Sequence, residues 1–264
     1  MPNWIRNKFI LGNKEKLNEL FNKYVTKINE EDEEIFDFNK VIKMPEELNI
    51  EFSSKSNDSL ILYLNYINPN NTYFKNNSSI EEKEFFNIYN KIKDQLFINN
   101  SNIILNESEI KKIINKYIDN ELDELLLLGK TQVDNLIKYG YMNWYEWRIN
   151  NWGTKWNSIN FKFYDDNKSF SIDTPWDPPI PILIQLSKDN PSIKIAMIYA
   201  DENIGSNAGY VLISKGKIEY KGKFKDYSVD AYKLAFDVWE CKDQYKFNEI
   251  KNNYEYIYWL NSVF

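Results

Sequence analysis

Histidine is absent from this 264-residue sequence, and Cys241 is its only cysteine. Without imidazole, neither a Ser-His-Asp nor a Cys-His nucleophile system can form, and zinc sites that need histidine are excluded. A single cysteine permits neither an internal disulfide nor a thiolate metal cluster. We therefore expect no metal and no cofactor, and carboxylates are the remaining route to catalysis.

Arginine is almost as scarce, because Arg6 and Arg148 are the only two and every other basic residue is a lysine. Forked contacts to phosphate or guanine depend on arginine, so its scarcity argues against the reading of duplex DNA. The net charge of −6 also argues against binding to duplex DNA. Nucleic acid is therefore a partner that the overall field does not favour.

Long apolar runs are also missing. No stretch approaches the ~18 uninterrupted apolar residues of a membrane span. The start, Met1-Pro2-Asn3-Trp4, lacks the basic and apolar segments of a signal peptide. We expect a cytoplasmic protein that does not contact a membrane.

Four segments differ in the pattern of their apolar residues. Residues 1–52 and 143–225 alternate as strands and helices typical of an α+β domain in two parts. Residues 53–142, between them, carry helical stripes of apolar side chains and predict a mostly helical insertion. Residues 226–264 predict a short helical C-terminal tail.

Three local predictions follow from the spacing of apolar residues. Residues 14–28 have helical spacing, and residues 36–42 are typical of a strand that Met44-Pro45 ends. The second of two tail helices is expected over 245–260.

Four short motifs occur in a specific order. They are Met1-Pro2-Asn3-Trp4 with Asn7 and Gly12; Lys43-Met44-Pro45-Glu46-Glu47-Leu48; Trp144-Tyr145-Glu146-Trp147 leading into Asn151-Trp152-Gly153-Thr154-Lys155-Trp156; and Thr174-Pro175-Trp176 with Pro178, Pro179 and Pro181. Over residues 1–52 and 136–225, this combination resembles the YubB-type ferredoxin-like domain family of phages and plasmids. The resemblance implies a ferredoxin-like split β-α-β sandwich interrupted by the insertion. It also implies carriage on a mobile element, and it implies no particular reaction.

Residues 143–156 contain four tryptophans in fourteen positions, the densest chemical signal in the chain. Because Trp, Tyr and Arg dominate binding hot spots, we predict a partner-binding surface here. Its members are Trp144, Trp147, Arg148, Lys155, Trp156 and Trp176. The alternative is that Trp152, Trp156 and Trp176 close the end of the sheet as core residues. Gly153 would then form a turn that no side chain permits.

A lysine-rich hairpin strand is the second candidate surface. Lys217, Lys221, Lys223 and Lys225 share one strand parity, whereas Ile218, Tyr220 and Phe224 share the other. This pattern predicts a half-buried edge strand whose solvated lysines discourage aggregation. The alternative is a cationic stripe that contacts RNA or an acidic protein partner, although no RNP-like aromatic signature is present.

Carboxylates near predicted strand ends are the only candidate catalytic groups. They are Asp165, Asp166, Asp173, Asp177, Asp201 and Glu202. Such residues are usually turn formers, but they could assemble a metal or a general acid.

Three functional hypotheses result. The leading one is a non-catalytic binding protein of a phage or other mobile element. It would occupy a host or mobile-element protein or nucleoprotein, and so inhibit a defence system such as a CRISPR effector. The alternatives are a single-stranded RNA- or DNA-binding module that uses the sheet and the hairpin lysines, and a carboxylate- and metal-dependent hydrolase.

Overall fold

The computed structural model describes residues 2–11, 19–20, 22–27, 34–71, 73–74, 80–95, 103–117, 122–164 and 169–257. The chain divides into two compact units. Residues 1–43 and 148–264 form one, which we call the sheet unit. Residues 44–147 form the other, which we call the helical unit.

The described helices and strands are, in chain order, β1 (Trp4–Leu11), β2 (Val25–Lys27), β3 (Glu34–Phe36), α1 (Phe38–Val41), a 3₁₀ turn (Glu46–Leu48), α2 (Ser54–Ile67), α3 (Glu82–Gln95), α4 (Glu107–Ile114), α5 (Leu122–Tyr139), α6 (Trp144–Trp152), β4 (Ile159–Phe163), β5 (Ser169–Pro175), α7 (Ile180–Asp189), β6 (Lys194–Asp201), β7 (Gly209–Ser214), β8 (Lys217–Lys223), α8 (Val229–Trp239), a 3₁₀ turn (Lys242–Gln244), β9 (Tyr245–Asn248) and β10 (Asn253–Tyr256). No helix among these has both the length and the hydropathy needed to cross a bilayer.

Six strands of the sheet unit form one antiparallel sheet in the order β4-β5-β1-β6-β7-β8. The N-terminal strand β1 lies between β5 and β6, so that Arg6 faces Asp173 on one side and Ala200 on the other. Since β5 and β6 are both antiparallel to β1, they are parallel to each other, and α7 connects them. The predicted split β-α-β arrangement of an α+β fold is therefore confirmed.

The two faces of this sheet are covered by different helices. Ile5, Phe9 and Leu11 of β1 are buried on one face, where the Phe9 ring stacks on Phe170 with 4.5 Å between centroids. Helix α7 packs against β6, β7 and β8. Its start follows Pro179, as suits a first helical turn. Helix α8 packs on the opposite face, through an alanine-rich cluster that includes Ala200 of β6.

The helical unit has its own hydrophobic core. Helices α2 and α5 make its most extensive contact. They approach closely at Gly129, where a Cβ would lie 2.2 Å from the Ser59 carbonyl oxygen. Buried Leu60, Leu64 and Leu136 pack with Phe85 and Ile92 of α3 in one cluster of this core. Residues 54–139 are helical in most of the described part, as the apolar stripes predict.

The predicted strand over 36–42 is wrong. The strand β3 ends at Phe36, and residues 38–41 form the helical turn α1. The Asp37 carboxylate caps this turn by accepting a hydrogen bond from the Asn39 amide at 3.0 Å. Strand β3 pairs with β2, so the end of the helix predicted over 14–28 is extended instead. Residues 19–20 and 22–24 of that predicted helix are helical, and its residues 14–18, 21 and 28 lie outside the described residues.

The helix predicted over 245–260 is also wrong, so the tail is not wholly helical. Helix α8 is present, but β9 and β10 then form a hairpin. The rings of Tyr245 and Tyr254 lie 5.1 and 4.9 Å from that of Phe236 in α8. Packing of these aromatic side chains against the helix favours the extended form, in which alternate residues share a face.

Candidate functional site

The end of the sheet where β1 starts and β5 and β6 finish carries a group of tryptophans that are half-buried or exposed. Trp4 opens β1 opposite Pro175, and Trp176 follows β5 directly. The Trp176 amide donates to the Asn3 carbonyl oxygen at 2.9 Å, which continues the pairing one residue beyond the strand. Trp176 has a left-handed backbone with φ of 66°, which is strained for a side chain of this size. The backbone at this end of the sheet thus determines where two indoles emerge.

The turn after α6 brings a third indole, that of Trp156, to the same end of the sheet. Helix α6 finishes at Trp152, whose Nε1 donates to the Ile42 carbonyl oxygen at 2.9 Å. Gly153 follows with φ of 84°, and a Cβ there would lie 2.7 Å from Cδ of Pro181. The Thr154 hydroxyl then donates to the Pro175 carbonyl oxygen at 2.9 Å. Only glycine fits this close approach, and the hydroxyl bond attaches the next residues to the end of β5.

Lys155 lies between two of these indoles. Its Nζ is 3.9 Å from the centroid of Trp156 and 4.0 Å from that of Trp176. The Trp4 ring lies 6.1 Å from that of Trp156. Trp156 and Trp176 remain 36% and 43% exposed. We call Trp4, Lys155, Trp156 and Trp176 the indole–lysine cluster.

The electrostatic setting of Lys155 differs from that of an ordinary surface lysine. Burial lowers the pKa of its ammonium. It makes no salt bridge with any residue that the structure describes. The carboxylates of Asp201 and Glu202, near Trp4, accept hydrogen bonds from amide groups. Glu202 accepts from the Trp4 amide at 3.1 Å, and Asp201 accepts from the Asn203 amide at 2.7 Å. The cluster therefore combines a cation, held by its attraction to the ring faces, with exposed apolar surface.

The structure brings together only part of the predicted tryptophan surface. Lys155, Trp156 and Trp176 lie together, whereas Trp144 and Trp147 belong to the helical unit. Trp147 is buried, so it is not presented to a partner, and Trp144 is half-buried with its ring 5.5 Å from that of Tyr145. Arg148 lies half-buried, 4.8 Å from the Trp152 ring centroid, and burial lowers the pKa of its guanidinium.

Sequence reasoning omitted Trp4 from the surface because Trp4 is 152 positions from Trp156. Its place in the Met1-Pro2-Asn3-Trp4 motif was the only signal. The core interpretation holds for Trp152, which is 2% exposed, but not for Trp156 and Trp176.

The hairpin lysines do not form the predicted single stripe. A register shift in the β7–β8 pairing lies between Leu212 and Ile213. Lys217 consequently opposes Ser214 on one face of the sheet, whereas Lys221 opposes Val211 on the other with Lys223. Lys225 lies beyond the end of the strand. Ile218 and Tyr220 are exposed, so β8 is an edge strand but not the half-buried one that the alternation predicts.

The candidate carboxylates are not assembled into one site. Asp173 is buried and accepts two hydrogen bonds from Arg6, both at 2.9 Å, and one from Asn160. Asp177 is exposed in the turn after β5. Asp165 and Asp166 lie outside the described residues. Among the described residues, no group of three or more Asp, Glu or Cys side chains is arranged to hold a metal ion.

The chain is similar to known proteins through one family model and one solved structure. Residues 151–251 match the family model of the ferredoxin-like domain in Api92-like protein. The crystal structure of the protein api92 from Yersinia pseudotuberculosis is 12% identical, with 85% of this chain and 99% of that chain covered and a TM-score of 0.36. No curated protein matches the chain significantly. Residues 151–251 thus form a ferredoxin-like part of an α+β fold, similar to the corresponding domain of Api92-like proteins.

Proposed function

We propose that this protein is a non-catalytic binding protein that engages a protein partner through the indole–lysine cluster. The observation that carries the proposal is Lys155, whose ammonium lies within 4.0 Å of two exposed indole centroids. Tryptophan is the residue most enriched in binding hot spots, and apolar rims that exclude water strengthen a central charged contact. The cluster offers both features in one place.

The neighbouring charges favour a protein over a polyanion. Asp201 and Glu202 adjoin Trp4, and Asp177 follows Trp176 directly. These carboxylates repel a chain of phosphates, whereas a protein surface can supply one carboxylate for Lys155 and apolar side chains for the indoles. The partner that we propose therefore presents an acidic residue within an apolar patch.

The specific role that we propose is the occupation of a host defence protein or nucleoprotein, such as a CRISPR effector. Its support is the resemblance of the motifs to a family of phages and plasmids. In this role the protein acts by blocking a surface of its partner.

Affinity capture with matched variants tests the proposal. We expect Lys155→Met and Trp176→Ala to lower affinity for a partner captured from host lysate, then purified and titrated. A hot-spot truncation costs ~2 kcal/mol or more, which is at least about tenfold in Kd. The controls Lys225→Met and Tyr256→Ala change an exposed lysine and an exposed aromatic side chain elsewhere on the sheet unit.

The thermal midpoints of the four variants separate lost binding from lost folding, since only variants that unfold like the parent are compared. The absence of a reproducible partner would contradict the proposal. The proposal would also be contradicted if Lys155→Met and Trp176→Ala each bound the partner as tightly as the parent protein does.

A further inference from the structure

One face of the six-stranded sheet is only partly covered by the residues that the structure describes. Helix α8 packs over the end of this face that contains Ala200 and Ala208. Ile198 lies at the margin of that cluster, partly buried against it. Tyr210, which is paired with Ile198, is 41% exposed, and Ile10 and Tyr220, further towards the opposite end of the strands, are 41% and 66% exposed.

Strand register arranges the side chains of this face in rows, because directly paired residues of antiparallel strands point to the same side. The first row is Lys8, Ile198, Tyr210 and Gly222. The second row is Ile10, Ala196, Leu212 and Tyr220. The third row is Lys194, Ser214 and Lys217. We call these three rows the open sheet face.

Tyr210 lies across the surface of the sheet. Gly222 is its partner on the edge strand, and a Cβ at Gly222 would lie 2.5 to 2.7 Å from three atoms of the tyrosine side chain. The Tyr210 ring therefore lies over Gly222. Because 41% of the tyrosine side chain remains exposed, a planar group can stack on it. Tyr220 belongs to the neighbouring row and lies diagonally across from Tyr210. Residues at such diagonal positions of paired strands are ~7–8 Å apart.

Lysines border these aromatic and apolar side chains. Lys8 belongs to the first row, which continues on β5 and β4 through Ser171 to Lys162, and Lys194 and Lys217 lie at the two sides of the third row. Two nearby carboxylates are each paired with a lysine, since Glu219 accepts a long 3.5 Å bond from Lys194 and Glu240 accepts one of 2.9 Å from Lys162. The face is thus locally basic, although the whole chain carries a net charge of −6.

Exposed aromatic side chains on an antiparallel sheet, bordered by lysines, suit unpaired bases and the phosphates between them. Bases stack on aromatic rings irrespective of sequence, and cations along the edge follow the backbone. A duplex cannot use the rings because its bases are already stacked. A second copy of this chain would bring the same lysines against one another.

We propose that the open sheet face binds single-stranded nucleic acid, with Tyr210 and Tyr220 as stacking platforms and Lys194 and Lys217 as phosphate contacts. This site is separate from the indole–lysine cluster, which lies where β1 starts, whereas Ile10 and Lys194 lie at the other end of their strands. The proposal stands or fails independently of the proposed protein partner.

Fluorescence anisotropy with labelled oligo(U) and oligo(dT) of about 12 nucleotides tests the proposal. We expect binding at low salt that weakens steeply as the ionic strength rises to about 0.15 M. Tyr220→Ala should lower affinity about tenfold, since stacking on one aromatic side chain contributes ~1–3 kcal/mol per base. Tyr210→Ala should act similarly, and Lys217→Met should reduce the salt dependence.

Three controls locate the bound strand. Tyr256→Ala removes a comparably exposed tyrosine from the β9–β10 hairpin, and it should leave affinity unchanged. Trp176→Ala should also leave affinity unchanged, and an unlabelled duplex of the same length should compete poorly. Tyr220 lies on an exposed edge, so its variant should unfold like the parent protein.

Absence of binding at low salt would overturn the proposal. So would binding that survives Tyr210→Ala and Tyr220→Ala together, or binding that Trp176→Ala abolishes instead, because the strand would then lie on the indole–lysine cluster. Light scattering adds a further outcome. A dimer that Tyr220→Ala dissociates would assign this face to a second copy and would also overturn the proposal.

Discussion

Arg6 illustrates how a single residue connects strand β5 with helix α8 on one face of the sheet. Its guanidinium donates two hydrogen bonds of 2.9 Å to the carboxylate of Asp173, whose side chain is only 3% exposed. The same guanidinium lies 4.1 Å from the Trp239 ring centroid at the end of α8. The hydrogen bond to Asp173 raises the pKa of Arg6. The arginine therefore neutralises a buried carboxylate and at the same time packs beneath a helix.

At the residue scale, we expect Arg6→Met to lower the free energy of unfolding by about 3–5 kcal/mol, because it leaves the Asp173 carboxylate buried without its cation. Urea denaturation measures the loss. The control Lys111→Met removes an exposed pair with Glu107 and should change the free energy of unfolding far less. The double variant Arg6→Met with Asp173→Asn should recover part of the stability. Equal losses for Arg6→Met and the control would contradict this explanation.

At the scale of elements, the end of helix α6 determines the position of Lys155 and Trp156. Gly153 and Gly140 both follow helices and both have positive φ, 84° and 79°. A Cβ at Gly153 would meet Pro181, Pro178 and Ile180, whereas nothing lies within 4 Å of one at Gly140. Gly140 is thus required only for its left-handed backbone, whereas Gly153 is required both for its left-handed backbone and for the close approach of neighbouring atoms.

We expect Gly140→Ala to cost ~1–2 kcal/mol, the usual penalty of a left-handed backbone with a side chain. Gly153→Ala should cost about 1–3 kcal/mol more, because the close approach to Pro181 must also open. It should in addition change tryptophan fluorescence, since the turn positions Trp156 against Lys155. Thermal and urea unfolding of the two variants give the comparison. Similar losses for both would mean that the segment around Pro181 moves away freely.

Several elements could be predicted from the sequence because their patterns are local. The strands β4 to β8 and the helices α7 and α8 match alternating or helical apolar spacing, with Pro179 before α7 as a start signal. The hairpin β9–β10 could not be predicted in this way. Its tyrosines and phenylalanine fit either a strand or a helix, and their contact with Phe236 decides between them. The bulge that separates Lys217 from Lys221 has no sequence signal of comparable strength.

At the scale of the whole molecule, the two units have separate cores. Phe9, Phe36 and Phe170 pack together in the sheet unit, whereas Leu64 belongs to the cluster around Phe85 in the helical unit. A large-to-small substitution lowers the stability of the residues that share its core. Each core can therefore be weakened by a substitution that leaves the other core's residues unchanged.

We expect Phe9→Ala to cost ~3–5 kcal/mol and Leu64→Ala ~2–5 kcal/mol, each within its own unit. Hydrogen exchange measured by mass spectrometry should show faster exchange in β1, β5 and β6 for the first variant, and in α2 and α5 for the second. Acceleration spread equally over both units by either substitution would show instead that the chain unfolds as one cooperative body.

The amino-acid sequence alone establishes which side-chain chemistry this chain lacks, and it predicts much of the local structure. The absence of histidine excludes imidazole chemistry, and the periodicity of apolar residues predicts most of the helices and strands. The resemblance of short motifs also led to the ferredoxin-like fold, because those motifs are contiguous in the chain. Composition and local spacing are sufficient for such inferences.

The residues that share a surface could be identified only from the folded chain. Trp4 and Trp156 come together because β1 enters the middle of the sheet from the far end of the sequence. The rows that align Tyr210 and Tyr220 with lysines depend on strand register and on one bulge. Register and pairing depend on contacts between residues that are distant in sequence, and such contacts leave no periodic trace in a single chain.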